Sequence, residues 1–232
     1  MRCTALLLLL LVSPLSAEEP VHVAVAANFK QTLQQITTRY EAQTGQRVTL
    51  SSASTGVLYN QIVHGAPFDL FFAADRATPE KLVTSGSAVS DTFCYAGGSL
   101  VLAGGDGTLA QLANPQLSLA IANPVTAPYG VAAMQVLARE EFQPGNTRKL
   151  VRGNNVVQAY QFWYSGAVDL ALVPKSLATD SGAFDVPRAW HASLTQFALI
   201  RQQGPAVDAY LKWMRSDTVR DQITQAGYES CP

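Results

Sequence analysis

The sequence predicts a two-lobed α/β protein, each lobe a mainly parallel sheet flanked by helices, with two crossover segments joining the lobes. Strand-like apolar runs alternate with helical stretches, a pattern that demands a parallel sheet with helices on its faces. This alternation occurs twice, once up to about residue 94 and again from Leu100. A late extended segment, Ser193 to Ile200, can carry the chain back to where it began. The lobes are expected to comprise residues 18–94 with 195–232, and residues 95–194. A single continuous doubly wound sheet is the alternative that this order leaves open.

At the N-terminus Arg2 precedes the apolar run Leu6 to Val12, followed by Pro14, Ser16 and Ala17. That is the pattern of a signal peptide, expected over residues 1–17 with cleavage after Ala17. Cys3 leaves with it. The run is too short for a permanent span, and no later stretch approaches the ~20 apolar residues that a span requires, so no membrane insertion is expected.

Val21 to Ala26 reads as the first strand. Asn28 is placed to cap a helix that buries Phe29, Leu33, Ile36 and Tyr40 and stops at Gly45. A second strand, Val48 to Ser51, leads through Thr55 and Gly56 into a helix with Leu58 and Ile62. Asp69 to Ala73 reads as a buried parallel strand, and Thr78 with Pro79 opens a third helix. In the second set, strands are expected at Leu100 to Ala103, Leu117 to Ala122 and Val168 to Val173, with helices starting near Tyr129 and Val156. A last helix begins at Pro205 and carries Val207, Tyr210, Leu211 and Met214 on one face.

The formal net charge is −1, and −2 once Arg2 is removed. Nucleic acid and anionic membranes demand clustered Lys and Arg, and neither is an expected partner. Cys94 and Cys231 survive in a chain bound for an oxidising compartment, where a bridge between them is the natural pairing. Two buried free thiols are the alternative.

In four places a strand ends in a short turn that delivers a helix N-terminus: Ala26-Ala27-Asn28, Ser54-Thr55-Gly56, Pro128-Tyr129-Gly130 and Asn154-Asn155-Val156. Strand C-termini and helix N-termini line one edge of an open parallel sheet, and ligands bind in the crevice there. Each helix N-terminus offers unpaired N–H groups and about +0.5 of dipole charge, so four facing one guest sum to about +2. That suits a dianion without any Lys or Arg. Asn28 and Thr55 add an amide and a hydroxyl as neutral donors. Taken singly, each Asn or Thr is an ordinary cap and Tyr129 an ordinary packing aromatic; their recurrence in a βα repeat gives the pattern its meaning.

Val-Ala-Val-Ala-Ala-Asn-Phe at 23–29, Ser-Ser-Ala-Ser-Thr-Gly-Val-Leu-Tyr-Asn-Gln-Ile at 51–62, Gly-Ala-Pro-Phe-Asp-Leu-Phe-Phe-Ala-Ala-Asp at 65–75, Asn-Pro-Val-Thr-Ala-Pro-Tyr-Gly at 123–130 and Asn-Asn-Val-Val-Gln-Ala at 154–159 resemble the periplasmic molybdate-binding proteins of bacterial ABC importers. The resemblance covers essentially the whole mature chain. It implies the periplasmic binding protein fold, a periplasmic location, a monomer, and a permease as partner. It implies no cofactor; the ligand is molybdate or tungstate, held through hydrogen bonds to its oxygens and not by side chains on the metal. Asn28 and Thr55 stand where many members use Ser, backbone N–H groups near Tyr129 and Val156 complete the set, and Ala27 stands where some relatives carry a hydroxyl. Pro174 falls near a position where others supply a Tyr ligand. These departures suggest the branch with Asn in the first loop.

The same fold could instead take sulfate, phosphate or an organic acid. Phosphate would want an acceptor for its proton and organic acids an Arg clamp; near the four loops only Arg152 is available. An enzyme is the remote alternative. His22, His64 and His191 form no pair at metal-ligand spacing and no Gly-x-Ser-x-Gly turn occurs. Asp69, Asp75 and Asp169 near strand ends read as solvated carboxylates or caps.

Overall fold

The computed structural model describes residues 19–179 and 181–231, so the expected leader and Cys3 lie outside the described residues. The first half runs β1 (Val21–Ala26), α1 (Lys30–Thr44), β2 (Val48–Ala53), α2 (Thr55–Val63), β3 (Leu70–Ala73), α3 (Ala77–Thr84) and β4 (Phe93–Gly97). The chain then crosses to β5 (Leu100–Gly104), β6 (Leu119–Ala122), α4 (Pro128–Leu137), β7 (Leu150–Gly153), α5 (Val156–Tyr164), β8 (Leu170–Pro174) and β9 (Phe184–Asp185). It returns in β10 (Thr195–Ile200) and ends with α6 (Pro205–Met214) and α7 (Asp217–Gln225).

Two five-stranded sheets result, ordered β2-β1-β3-β10-β4 and β7-β6-β8-β5-β9. The sheets are mixed: β1, β2 and β3 are parallel, as are β6, β7 and β8, whereas β10 and β5 run antiparallel to both neighbours. The reversal has a geometric cause. β10 and β5 are each the first strand after a crossover. A chain arriving from the other lobe enters at the facing edge, where the parallel strands end, and can only run away from it.

Alternation along the strands divides each lobe into two apolar layers. Val23, Val25, Leu70 and Phe72 pack with Leu33, Ile36 and Tyr40 of α1 and with Tyr210 and Leu211 of α6. Ala24, Phe71 and Ala73 face the other way, onto Leu58 and Ile62 of α2 and Leu82 of α3. In the second lobe Leu119, Ile121, Leu170 and Leu172 meet Ala133 and Val136 of α4, and Ala120, Ala171 and Val173 meet Ala159 of α5.

Local starts differ from expectation in two places. Asn28 lies in the turn before α1, and Phe29 occupies the cap position. At α3 Arg76 occupies the cap position, and Asp75 just before it accepts from the Thr78 amide at 2.9 Å and the Thr78 hydroxyl at 2.9 Å. An ionised carboxylate is a stronger acceptor than a hydroxyl for the orphan N–H groups of a first turn. The two other strand-end aspartates also hold backbone: Asp69 accepts from His22 N at 2.7 Å, and Asp169 from Ser118 N at 2.8 Å.

The crossovers are tied to each other and to the C-terminus. Gly98 N donates to Leu194 O at 3.0 Å. Glu229 bridges Gly97 in an antiparallel pair, accepts from Ser99 Oγ at 2.9 Å and forms an ion pair with Arg188. Two residues on, Cys231 is disulfide-bonded to Cys94, with a Cα–Cα distance of 6.0 Å across 137 residues of chain. Closing a loop of that length removes much denatured-state entropy. Replacing both cysteines with serine is therefore expected to lower the unfolding free energy by ~2–5 kcal/mol in denaturant titration; a change within ~0.5 kcal/mol would show that the tail is held without the bridge.

Candidate anion-binding site between the lobes

All four strand-to-helix turns face one small cavity. Its wall consists of Ala26, Ala27, Asn28, Ser54, Thr55 and Ala74 from the first lobe, and Ala127, Pro128, Tyr129, Asn155 and Val156 from the second. No Asp, Glu, Lys or Arg is among them. The space open to the centre of a water-sized sphere is only about 10 Å³, near the least that holds a single water. A larger cavity of about 380 Å³ lies between β4 and the final helices, but its wall of Phe72, Phe93, Tyr95, Met214 and Ile223 is largely apolar.

The sequence arranges for particular N–H groups to remain free. Pro128 stands at the first position of α4 and has no N–H, so Tyr129 presents the first amide of that helix. Asn155 caps α5 by accepting from Val157 N and Gln158 N at 3.0 and 3.1 Å, which leaves the amide of Val156. At α2, Gly56 N is spent on Thr126 O across the cleft at 2.9 Å, and Thr55 N is left. Among the described residues no protein acceptor pairs with the N–H of Asn28, Thr55, Tyr129 or Val156.

Thr55 is 1% exposed, and its Oγ1 accepts from Ala74 N at 3.0 Å. That bond occupies a lone pair and leaves the hydroxyl proton to be donated. Ser54, one residue earlier, was not singled out from sequence. Its hydroxyl makes no capping bond and is buried without a partner among the described residues. Ala27 contributes a methyl only, because its N–H is donated to Ala53 O at 2.9 Å. Pro174 is buried in register with Leu100 and does not line the cavity, and neither does Arg152.

Asn28 behaves differently from expectation. Its amide nitrogen donates to Gln196 Oε1 at 2.8 Å and Tyr228 OH at 3.3 Å, so both side-chain protons are engaged within the protein. What the residue leaves for a guest is its backbone N–H. Tyr228 OH in turn donates to Asn28 O at 2.6 Å, and Gln196 Nε2 donates to Tyr129 OH at 3.2 Å. Gln196, Tyr95 and Tyr228 are far from the loops in sequence and carry no motif that would have marked them.

The lobes meet closely around the cavity. A Cβ on Gly56 would lie 3.1 Å from both Cα and O of Thr126, so the absence of a side chain permits the cross-cleft bond. Ser176 Oγ reaches Asn28 O at 3.4 Å on the other side.

These features place the chain in a known class. The family of bacterial extracellular solute-binding proteins matches residues 21–229, and the chain belongs to it. The molybdate-binding protein ModA of Azotobacter vinelandii is 38% identical over 224 residues, covering 90% of this chain and 89% of that relative. ModA of Rhodobacter capsulatus is 33% identical over 237 aligned positions, covering 97% and 94%. The solved periplasmic molybdate-binding protein of Azotobacter vinelandii superposes with a TM-score of 0.83 at 34% identity, covering 91% of this chain and all (100%) of that one. The sulfate-binding protein SubI of Mycobacterium tuberculosis H37Rv, with a TM-score of 0.73 and 14% identity over 90% of this chain and 86% of that one, shares the fold.

Burial pushes the hydroxyls of Tyr95 and Tyr129 well above the usual tyrosine value of 10, and those of Tyr210 and Tyr228 upward as well. The folded state resists losing these protons and the unfolded chain does not. Their contribution to stability is therefore complete below pH ~10 and is lost as pH rises beyond it. Tyrosinate absorbance from these residues is expected to appear only together with loss of circular dichroism; smooth ionisation of all eight tyrosines near pH ~10 in a folded protein would contradict the packing.

Proposed function

We propose that this protein captures molybdate or tungstate in the periplasm and delivers it to the permease of an ABC importer, as a monomeric carrier without catalytic activity. The observation that supports this best is the conjunction of four unpaired backbone N–H groups with the hydroxyls of Thr55 and Ser54 around a cavity that holds no charged side chain. A tetrahedral dianion offers acceptors in several directions at once. Its charge is met by helix dipoles worth about +0.5 each, and each N–H···O⁻ bond is charge-assisted.

Neutral donors also set the selectivity. A guanidinium would hold any anion by charge, whereas fixed N–H and O–H groups reward one spacing of oxygens. Monohydrogen phosphate would bring a proton into a wall without a carboxylate to accept it. Sulfate has the right charge and shape and is the competing reading, distinguished by its smaller size. Binding begins on the first lobe at the Asn28 and Thr55 turns, and the second lobe then closes by rotation at the crossovers. The closed pair of lobes is the surface that the permease recognises.

Calorimetry with molybdate, tungstate, sulfate and phosphate tests the assignment. Molybdate and tungstate are expected to bind at least ~100-fold more tightly than sulfate, about 2.7 kcal/mol; equal affinity for sulfate would overturn the reading. Ser54→Ala and Thr55→Ala should each weaken molybdate binding by ~1–3 kcal/mol with the ligand-free protein still folded. Gly56→Val should hold the lobes apart, so that small-angle scattering shows no compaction on adding molybdate; compaction equal to that of the wild type would show that the Gly56–Thr126 approach is dispensable.

A further inference from the structure

We propose that Gln196 is the positioning residue that couples the two halves of the anion site, aligning the Asn28 turn of one lobe with the Tyr129 helix terminus of the other. The inference rests on the oxyanion reading above and assigns a role to a residue that lines no part of the cavity.

Gln196 sits at the start of β10, immediately after the second crossover, and is fully buried. The register of β10 against β4 shifts between Gln196 and Phe197, an irregularity of the kind that re-aims a side chain out of the regular alternation. Its Oε1 accepts from Asn28 Nδ2 at 2.8 Å and lies 2.8 Å from Tyr95 OH. The Asn28 amide N–H sets this end of Gln196 as the oxygen, while the single proton of Tyr95 OH is shared between it and Ala73 O at 3.0 Å. The nitrogen must then face the other way, and there it meets Tyr129 OH at 3.2 Å. A Cβ at position 98 would lie 2.1 Å from that hydroxyl and 2.7 Å from Gln196 Nε2, so Gly98 in the first crossover makes room for the contact.

The amide thus holds the side chains of Asn28 and Tyr129, one from each lobe among the four residues whose backbone N–H groups face the cavity. Asn28 and Tyr95 orient Gln196 on the first lobe, and Tyr129 completes its bonding when the second lobe closes. In the closed form the buried amide has partners at both ends, Asn28 and Tyr95 at the oxygen and Tyr129 at the nitrogen. That fixes the spacing between the Asn28 and Tyr129 amides when the guest is enclosed.

The test is a double-mutant cycle on molybdate affinity by calorimetry, with Gln196→Leu, Tyr129→Phe and the pair, alongside scattering for closure and thermal melts of the ligand-free proteins. The wild-type titration is read first: absence of molybdate binding there defeats the molybdate reading, and the coupling is then measured with whichever of tungstate, sulfate or phosphate binds. Gln196→Leu is expected to weaken binding at least about tenfold and to reduce ligand-induced compaction. Tyr129→Phe should cost about threefold or more, and the pair should cost little beyond Gln196→Leu alone, because both changes remove the same link. A lowered melting temperature with affinity within about twofold of wild type, or additive losses in the pair, would overturn the proposal and leave Gln196 a packing residue. Should Gln196→Leu fail to fold, Tyr129→Phe carries the test: unchanged affinity and compaction overturn it, and a matched loss of both supports it.

Discussion

Burying a backbone N–H without an acceptor costs about 1–3 kcal/mol, and this fold closes four such groups, on Asn28, Thr55, Tyr129 and Val156, around one cavity. A guest that accepts from them, as in the proposed function, removes that cost. Much else in the structure serves that arrangement. Pro128 and the Asn155 cap dispose of competing donors in α4 and α5. The Ala74 amide turns the Thr55 hydroxyl proton loose. The absence of charged side chains from the wall prevents an internal counter-ion from taking the guest's place.

The two lobes reach this end by the same local solution. Each places three parallel strands so that their last residues meet helix N-termini, and each ties the start of its third strand to its first with an aspartate, Asp69 to His22 and Asp169 to Ser118. Those carboxylates look in sequence like candidates for metal or acid–base chemistry. Their bonds to backbone instead set strand register at the end of the sheet away from the cleft, so the site-bearing turns emerge at the same height in both lobes.

The turns themselves were legible in sequence because they are local: a β-type run, a small or amide residue and an apolar helical stripe are contained within a dozen residues. The antiparallel placement of β5 and β10 was not, since direction follows from which lobe the chain enters and leaves no mark on composition. Helix α7 escaped notice because only Val219 and Ile223 are buried in it, too sparse a stripe to stand out among polar neighbours. The Asn28 amide was read as a ligand donor because its partners are remote, Gln196 lying 168 residues and Tyr228 200 residues further along. Ser54 was hidden differently: a serine before a helix is ordinarily a cap, and only the geometry shows a hydroxyl with nothing to bond to.

The hydrogen bond from Gly98 to Leu194 joins the two strands of the spine side by side, immediately behind the cradle. Connectors pinned together permit one book-like swing and resist sliding or twisting of either cover. A swing about so near an axis separates all the contacts across the cradle in the same stroke, without first peeling away one side. Discharge then follows from that one swing: as the second cover lifts, its share of the grip is lost at a stroke and the cargo is left on the first cover's turns, open to water.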